Sequence, residues 1–312
     1  MSAEAAPTIL LAGGSGQVGG QMRTALAALG RVITPGRGEL DLASPASIRS
    51  MMRTLRPQWV VNPAAYTAVD KAESDADAAF AINCDAPAVL AEEAKTIGAV
   101  LIHFSTDYVF DGTKSTPYAE TDTTNPLGVY GASKLAGEQA IAATGAAHLI
   151  FRTSWVYGAT GKNFLLTVLR VAREREEMRI VADQHGAPTW SFDLAAMTAK
   201  LMEQVNAQAA KESRGVAEIV AASSGVYHAC DAGETTWFGF AEAAVRMAQG
   251  RHPQQKFARL VPITTAEYPT PAKRPQYSHL DCTKLAQRFG LTLPAWERSL
   301  HAVMDILGTE TA

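Results

Sequence analysis

Tyr130 and Lys134 stand four residues apart in the run YGASK at 130–134, and the hydroxyl-bearing run Ser105-Thr106-Asp107 comes shortly before them. The stretch reads as helical, and four-residue spacing puts the phenol and the ammonium on one helix face. A free phenol has a pKa near ~10 and is a poor acid–base group at neutral pH. A neighbouring lysine cation favours the phenolate and draws that pKa down, which makes the pair a candidate for general acid–base work. The bare spacing is also met on ordinary surfaces as a Tyr and a solvated Lys, so its weight comes from what surrounds it.

A predicted strand, Ile9 to Ala12, runs straight into Gly13-Gly14-Ser15-Gly16-Gln17-Val18-Gly19, and a predicted helix, Gly19 to Leu29, follows. Gly13, Gly16 and Gly19 fit GxxGxxG, a variant of the dinucleotide fingerprint. Glycines there let the backbone turn tightly and approach a pyrophosphate, and the helix N-terminus offers free N–H groups to it. An acid at the tip of the second strand would bind the adenine ribose and repel a 2′-phosphate. This chain has Thr34-Pro35-Gly36-Arg37-Gly38 instead, and Arg37 can pair with a phosphate. NADPH is therefore expected over NADH, with Asp41 near the adenine end.

The elements that must hold these groups alternate short apolar runs with amphipathic stretches, the pattern of a parallel sheet wrapped by helices. Further strands are predicted at 31–34, 59–62, 100–105 and 148–153, with helices at 47–55 and at 75–97, the latter bent at Pro87. The second half is less regular. Helices are expected at 164–177, 192–210, 237–248 and 295–307, strands at 178–182 and 226–229, and an exposed connection at 211–224. The expected architecture is α/β: a Rossmann-like doubly wound parallel sheet at 7–160, with a smaller substrate-binding lobe at 161–312 that returns some segments to it.

The 312 residues carry a net charge of −3 and no basic block, which argues against nucleic-acid binding. Cys84, Cys230 and Cys282 are too few and too scattered for a disulfide framework or a zinc site. Residues 1–7 read as a short tail, the apolar run after it is too short for a signal core, and no stretch is long enough to span a membrane. A reduced, cytoplasmic protein is the expectation. His103 reads as a core histidine, His185 has no partner at metal spacing, and the 173–176 charge run reads as a solvated helix face.

The longer blocks are GGSGQVG (13–19), VVNPAAYTAVDKAE (60–73), HFSTDYVFDG (103–112), NPLGVYGASKLAGE (125–138), FRTSWVYG (151–158), DQHGAPT (183–189) and YPTPAKRPQYSHLD (268–281). Together and in this order, the chain resembles the dTDP-4-dehydrorhamnose reductases, a family of extended short-chain dehydrogenases/reductases. The resemblance implies NAD(P)H-dependent reduction of dTDP-4-dehydro-L-rhamnose to dTDP-L-rhamnose. It implies Tyr130 as proton donor to the sugar C4 oxygen, Lys134 as the group that binds the nicotinamide ribose and lowers the phenol pKa, and Thr106 as the hydroxyl completing the triad. Cofactor contacts are implied at Gly13, Gly16, Gln17, Val18, Gly19, Asp41, Leu42, Ala64, Ala65, Tyr66, Thr67 and Ser105, besides Arg37, Tyr130 and Lys134. Substrate contacts are expected at Thr106, Asp107, Trp155, Asn163 and Arg274, with Lys273, Gln184 and Thr189 as further candidates.

Some members of the family dimerise through Mg²⁺ held by carboxylates, but the aligned positions here are Gln21 and Phe192. No metal is expected, and the chain is expected as a monomer or homodimer. Pro63 replaces a usual alanine without removing a catalytic group. A dehydratase would need Asp-Glu after the threonine, whereas Thr106-Asp107 is followed by Tyr108. A nucleotide-sugar epimerase shares the fold and YxxxK, and a regulatory subunit of the methionine adenosyltransferase type shares the fold without needing the triad. Both remain alternatives on the sequence.

Overall fold

The computed structural model describes residues 7–309; residues 1–6 of the expected tail at 1–7 and the last three residues lie outside them. Six strands form one parallel sheet: β1 (Thr8–Leu11), β2 (Arg31–Ile33), β3 (Trp59–Asn62), β4 (Val100–Thr106), β5 (His148–Thr153) and β6 (Gly225–His228), in the order β6-β5-β4-β3-β1-β2. The chain steps from β1 out to β2, then crosses back to β3 on the other side of β1. Open parallel sheets bind ligands at such a reversal, beyond the C-terminal ends of the strands.

Alternate strand residues feed two separate cores. Ile9, Leu11, Val61, Ile102 and Phe104 pack on one face, under Leu194, Leu201 and Met202 of the helix Ser191–Glu212. Leu10, Val60, Leu101 and Ile150 pack on the other, under α2 (Pro45–Leu55), α3 (Ala86–Ile97) and α4 (Val129–Thr144). The period-two alternation of the strands and burial on both faces explain why they read as continuous apolar runs.

The second half does not stand apart from this sheet. The strand β6 pairs with β5, and the helix Ser191–Glu212 packs on α1 (Gln17–Leu26). The helix expected at 75–97 runs unbroken over residues 76–97 and widens into a π turn, Ala81–Asp85, just before Pro87. Pro87 has no N–H to offer the carbonyl of Asn83, and the wider turn accommodates that gap. The segment 211–224 is no mere exposed connection. It holds the helix Val216–Ala221, which buries Ile219 and Val220.

Candidate active site

The reacting groups gather where β4 ends. Thr106 Oγ1 donates to Asp107 Oδ1 at 3.0 Å and accepts from the Tyr108 N–H at 3.2 Å. Asp107 is buried, and burial pushes its carboxyl up to about 6, against hydrogen bonds from Ser278 and Thr106. Tyr130, on the first turn of α4, meets Tyr108 edge-on with ring centroids 5.7 Å apart. Burial pushes the Tyr130 phenol up to about 12; the facing Thr106 hydroxyl pulls against this, and Asp107 adds to it. At neutral pH the phenol keeps its proton, the state a proton donor needs.

Lys134, one turn along α4, is fully buried. Its Nζ donates to the Phe104 carbonyl at 2.6 Å and lies 3.1 Å from His103 Nε2. Burial brings its pKa down to about 8, with Glu138 opposing. The expectation that Lys134 draws down the phenol pKa is therefore corrected for this arrangement. The ammonium points at β4, and Tyr130 answers to burial, Thr106 and Asp107 instead.

Three anchors hold α4 in place. The Glu73 carboxylate accepts the Val129 N–H at 2.9 Å and so caps the helix. The Asn83 carboxamide donates to Ser133 Oγ at 3.0 Å and to the Tyr66 carbonyl at 3.1 Å, and accepts the Tyr66 N–H at 2.8 Å. It thus ties the Ala64–Thr67 stretch to the helix bearing Tyr130. Gly137 lets the two elements meet, since a Cβ there would come 2.0 Å from the Asn83 carbonyl. Third, Glu138 and Arg152 form a buried ion pair at 2.6 Å, and Ser105 Oγ donates to the same carboxylate. Alternation along β4 turns the hydroxyl of Ser105, a cofactor candidate, toward α4. Glu73 and Asn83 escaped the sequence reading because their partners lie 56 and 50 positions away.

The cradle after β1 fits a dinucleotide pyrophosphate. Gly13 has φ +75°, and a Cβ there would come 2.8 Å from Ala64 Cβ; a Cβ on Gly19 would come 2.1 Å from the Gly13 carbonyl. Helix α1 starts after Gly16 with neither a side-chain cap nor an acid in its first turn, so its N–H groups stay open to an anion. Gln17 Nε2 is buried without a partner, a donor available to the same ligand. Val18 packs beneath the sheet. Arg37 is exposed in the turn after β2, but so is Glu39, whose carboxylate accepts the Gly36 N–H at 2.8 Å. An acid thus follows Arg37 in the same turn. Asp41 accepts the Ala43 N–H at 2.9 Å just ahead of α2, and Leu42 packs against the core there. Ala64 and Ala65 are half-buried beyond β3, and Thr67 is exposed.

The expected substrate residues divide. Trp155 follows β5 with φ +47°, its indole stacked on Trp237 at 3.7 Å and backed by Gly186, where a Cβ would come 2.7 Å from the ring. Asn163 is engaged as a cap: it accepts the Leu166 N–H at 3.0 Å and donates to the Gly158 and Thr160 carbonyls. Arg274 pairs with Asp70 at 2.9 Å, and Asp70 also accepts the Ala272 N–H. This latches the proline-rich 268–275 loop beside the Ala64–Thr67 stretch, and the guanidinium holds the Asp70 carboxyl below its usual range. Gln184 donates to Thr265, and Thr189 is buried. Between loop and helix, a small cleft lies beside Tyr130, lined by Glu73, Leu127 and Lys273.

A glycine cradle on the first strand of a parallel sheet, with Tyr130 and Lys134 on the helix beside the fourth, defines a nucleotide-dependent oxidoreductase of the short-chain dehydrogenase/reductase class. The family described as the RmlD substrate binding domain matches residues 7–308, and the chain belongs to it. A dTDP-4-dehydrorhamnose reductase of Burkholderia thailandensis is 50% identical over 303 residues, 96% of this chain and 99% of that protein. A solved dTDP-4-dehydrorhamnose reductase of Clostridium acetobutylicum superposes with a TM-score of 0.84 at 34% identity, covering 96% of this chain and 99% of its own. The Bacillus anthracis reductase, solved in complex with NADP, gives a TM-score of 0.85 at 32% identity over the same shares. Among the described residues, no helix is long and apolar enough to cross a membrane.

Proposed function

We propose that this chain reduces dTDP-4-dehydro-L-rhamnose to dTDP-L-rhamnose with NADPH. The observation that carries the reading is the meeting of Thr106, Asp107 and a protonated Tyr130 at the end of β4, beside a cradle that fits a dinucleotide. The cradle of Gly13, Gly16, Gln17 and Gly19 would hold the pyrophosphate, and the Ala64–Thr67 stretch would line the path toward Tyr130. Arg37 would favour NADPH, with NADH as the weaker donor. When bound, the nicotinamide supplies the hydride.

The chain's own groups manage the charge. Reduction of the C4 ketone builds negative charge on its oxygen, and Tyr130 gives that oxygen its phenolic proton. Thr106 turns its hydroxyl from Asp107 to the same oxygen and stabilises the developing charge. Lys134, one turn along the same helix, would hold the nicotinamide ribose by a charge-assisted hydrogen bond. The second-half segments, with Lys273 at the cleft and Arg274 next to it in the loop, would form the sugar-nucleotide side; Arg274 would exchange Asp70 for a diphosphate oxygen. The chain is proposed to act in the cytoplasm as a monomer or homodimer.

The test is NADPH oxidation by the purified chain supplied with dTDP-4-dehydro-L-rhamnose, with product identification. One NADPH consumed per dTDP-L-rhamnose formed supports the reading. An interconverted sugar nucleotide without net oxidation would indicate an epimerase. Cofactor binding with no chemistry would indicate a regulatory protein.

A further inference from the structure

His103 lies on β4, fully buried, directly behind Lys134. Its Nε2 is 3.1 Å from Lys134 Nζ, and its Nδ1 is 3.2 Å from the Asn62 carboxamide on β3. An ammonium has only protons to give, so Nε2 must present a lone pair and the imidazole proton must sit on Nδ1. An Nδ1–H needs an acceptor, and Asn62 Oδ1 is buried with no partner as placed. Half a turn of the carboxamide puts Oδ1 against Nδ1–H and moves the NH2 to the place Oδ1 held. The result is a directed chain from Lys134 through His103 to Asn62.

Lys134 has three N–H donors. The Phe104 carbonyl takes one and His103 takes another, which leaves one direction for the cofactor cleft. We propose that His103, locked as the Nδ1–H tautomer by Asn62, is a positioning residue that aims the remaining Lys134 N–H into the cleft and keeps the ammonium charged. The inference rests on the reductase reading for its kinetic consequence, though not for its geometry.

The charged and titratable groups around this chain act in a consistent sense. Glu138, one turn further along α4 and backed by Arg152 of β5, favours the charged lysine. Burial and the lysine charge both hold His103 neutral, well below its ordinary range. A neutral imidazole is what the acceptor role requires. An accepted hydrogen bond favours the charged donor, so removing the acceptor lets Lys134 lose its proton at lower pH.

Two experiments test this. In ¹⁵N-labelled wild-type protein, with His103 signals assigned by their loss in His103→Gln, the ring should be protonated on Nδ1 and bare on Nε2. It should not titrate across about pH 6 to 9. A proton on Nε2, or an imidazolium in that range, overturns the proposal whatever the protein's activity. In kinetics, His103→Leu should move the alkaline limb of kcat down by about one pH unit, with KM changed less than about twofold. His103→Gln, whose carbonyl reaches the place of Nε2, should restore the limb. An unmoved limb in a folded His103→Leu protein overturns the proposal. If no variant and no wild type turns over, the reductase reading fails, and the tautomer measurement still decides the geometry.

Discussion

Asp107→Asn should make the protein more stable at pH 8 than the wild type, and the gain should fade as pH falls. Burial raises the wild-type carboxyl from 3.8 to about 6. That is roughly two pH units at ~1.36 kcal/mol each, so ionised Asp107 costs the folded state about 3 kcal/mol. Between these values the folded protein binds a proton that the unfolded chain has released. Rising pH therefore lowers wild-type stability across that window, and the stability present below it is lost as pH passes about 6. Asparagine has no proton to lose and removes the slope. Asp231, pushed up to about 8 mainly by burial, also titrates, but it does so in both proteins and cancels in the difference. The assay is urea unfolding of both proteins at about pH 4.5, 6 and 8. A stability difference that grows by about 2 kcal/mol from the lowest to the highest pH is the expected result. A difference independent of pH would refute the claim that this carboxylate is ionised at a cost.

Other outcomes are equally open to measurement. Glu138→Ala leaves Arg152 buried and unpaired, and should lower unfolding free energy by about 3–5 kcal/mol in urea titrations. Gly19→Ala drives a methyl into the Gly13 carbonyl and should weaken NADPH binding at least ~10-fold in a fluorescence titration. Arg37→Ala should weaken NADPH about tenfold and NADH less than about twofold; equal losses would remove the basis for the cofactor preference.

The sheet was legible in the sequence because its central strands bury both faces, so β1, β3, β4 and β5 stood out as unbroken apolar runs. The cradle was legible because its three glycines are demanded locally: Gly19 faces Gly13, only six positions away. What the sequence hid depends on distant partners. Nothing local marks Glu73 as the cap of α4, or Asn83 as the clasp between Tyr66 and Ser133. The helix Val216–Ala221 was hidden because its buried Ile219 and Val220 sit among small and polar neighbours, too short a run to show a period. Direction was also hidden. Ser105 and Thr106 are neighbours of similar chemistry, and only the pleat sends one to Glu138 and the other to Asp107. Trp155, Asn163 and Arg274 carry the right chemistry for a sugar nucleotide. The fold nevertheless engages each of them with a ring, a helix end or a carboxylate of its own.

The central claim is that Tyr130 delivers the proton that completes ketone reduction. Single-turnover NADPH oxidation by Tyr130→Phe, with dTDP-4-dehydro-L-rhamnose and with cofactor affinity measured on the same sample, tests it most directly. The expected rate is at least ~100-fold below wild type, with NADPH affinity within about twofold. A rate within a few-fold of wild type would contradict it.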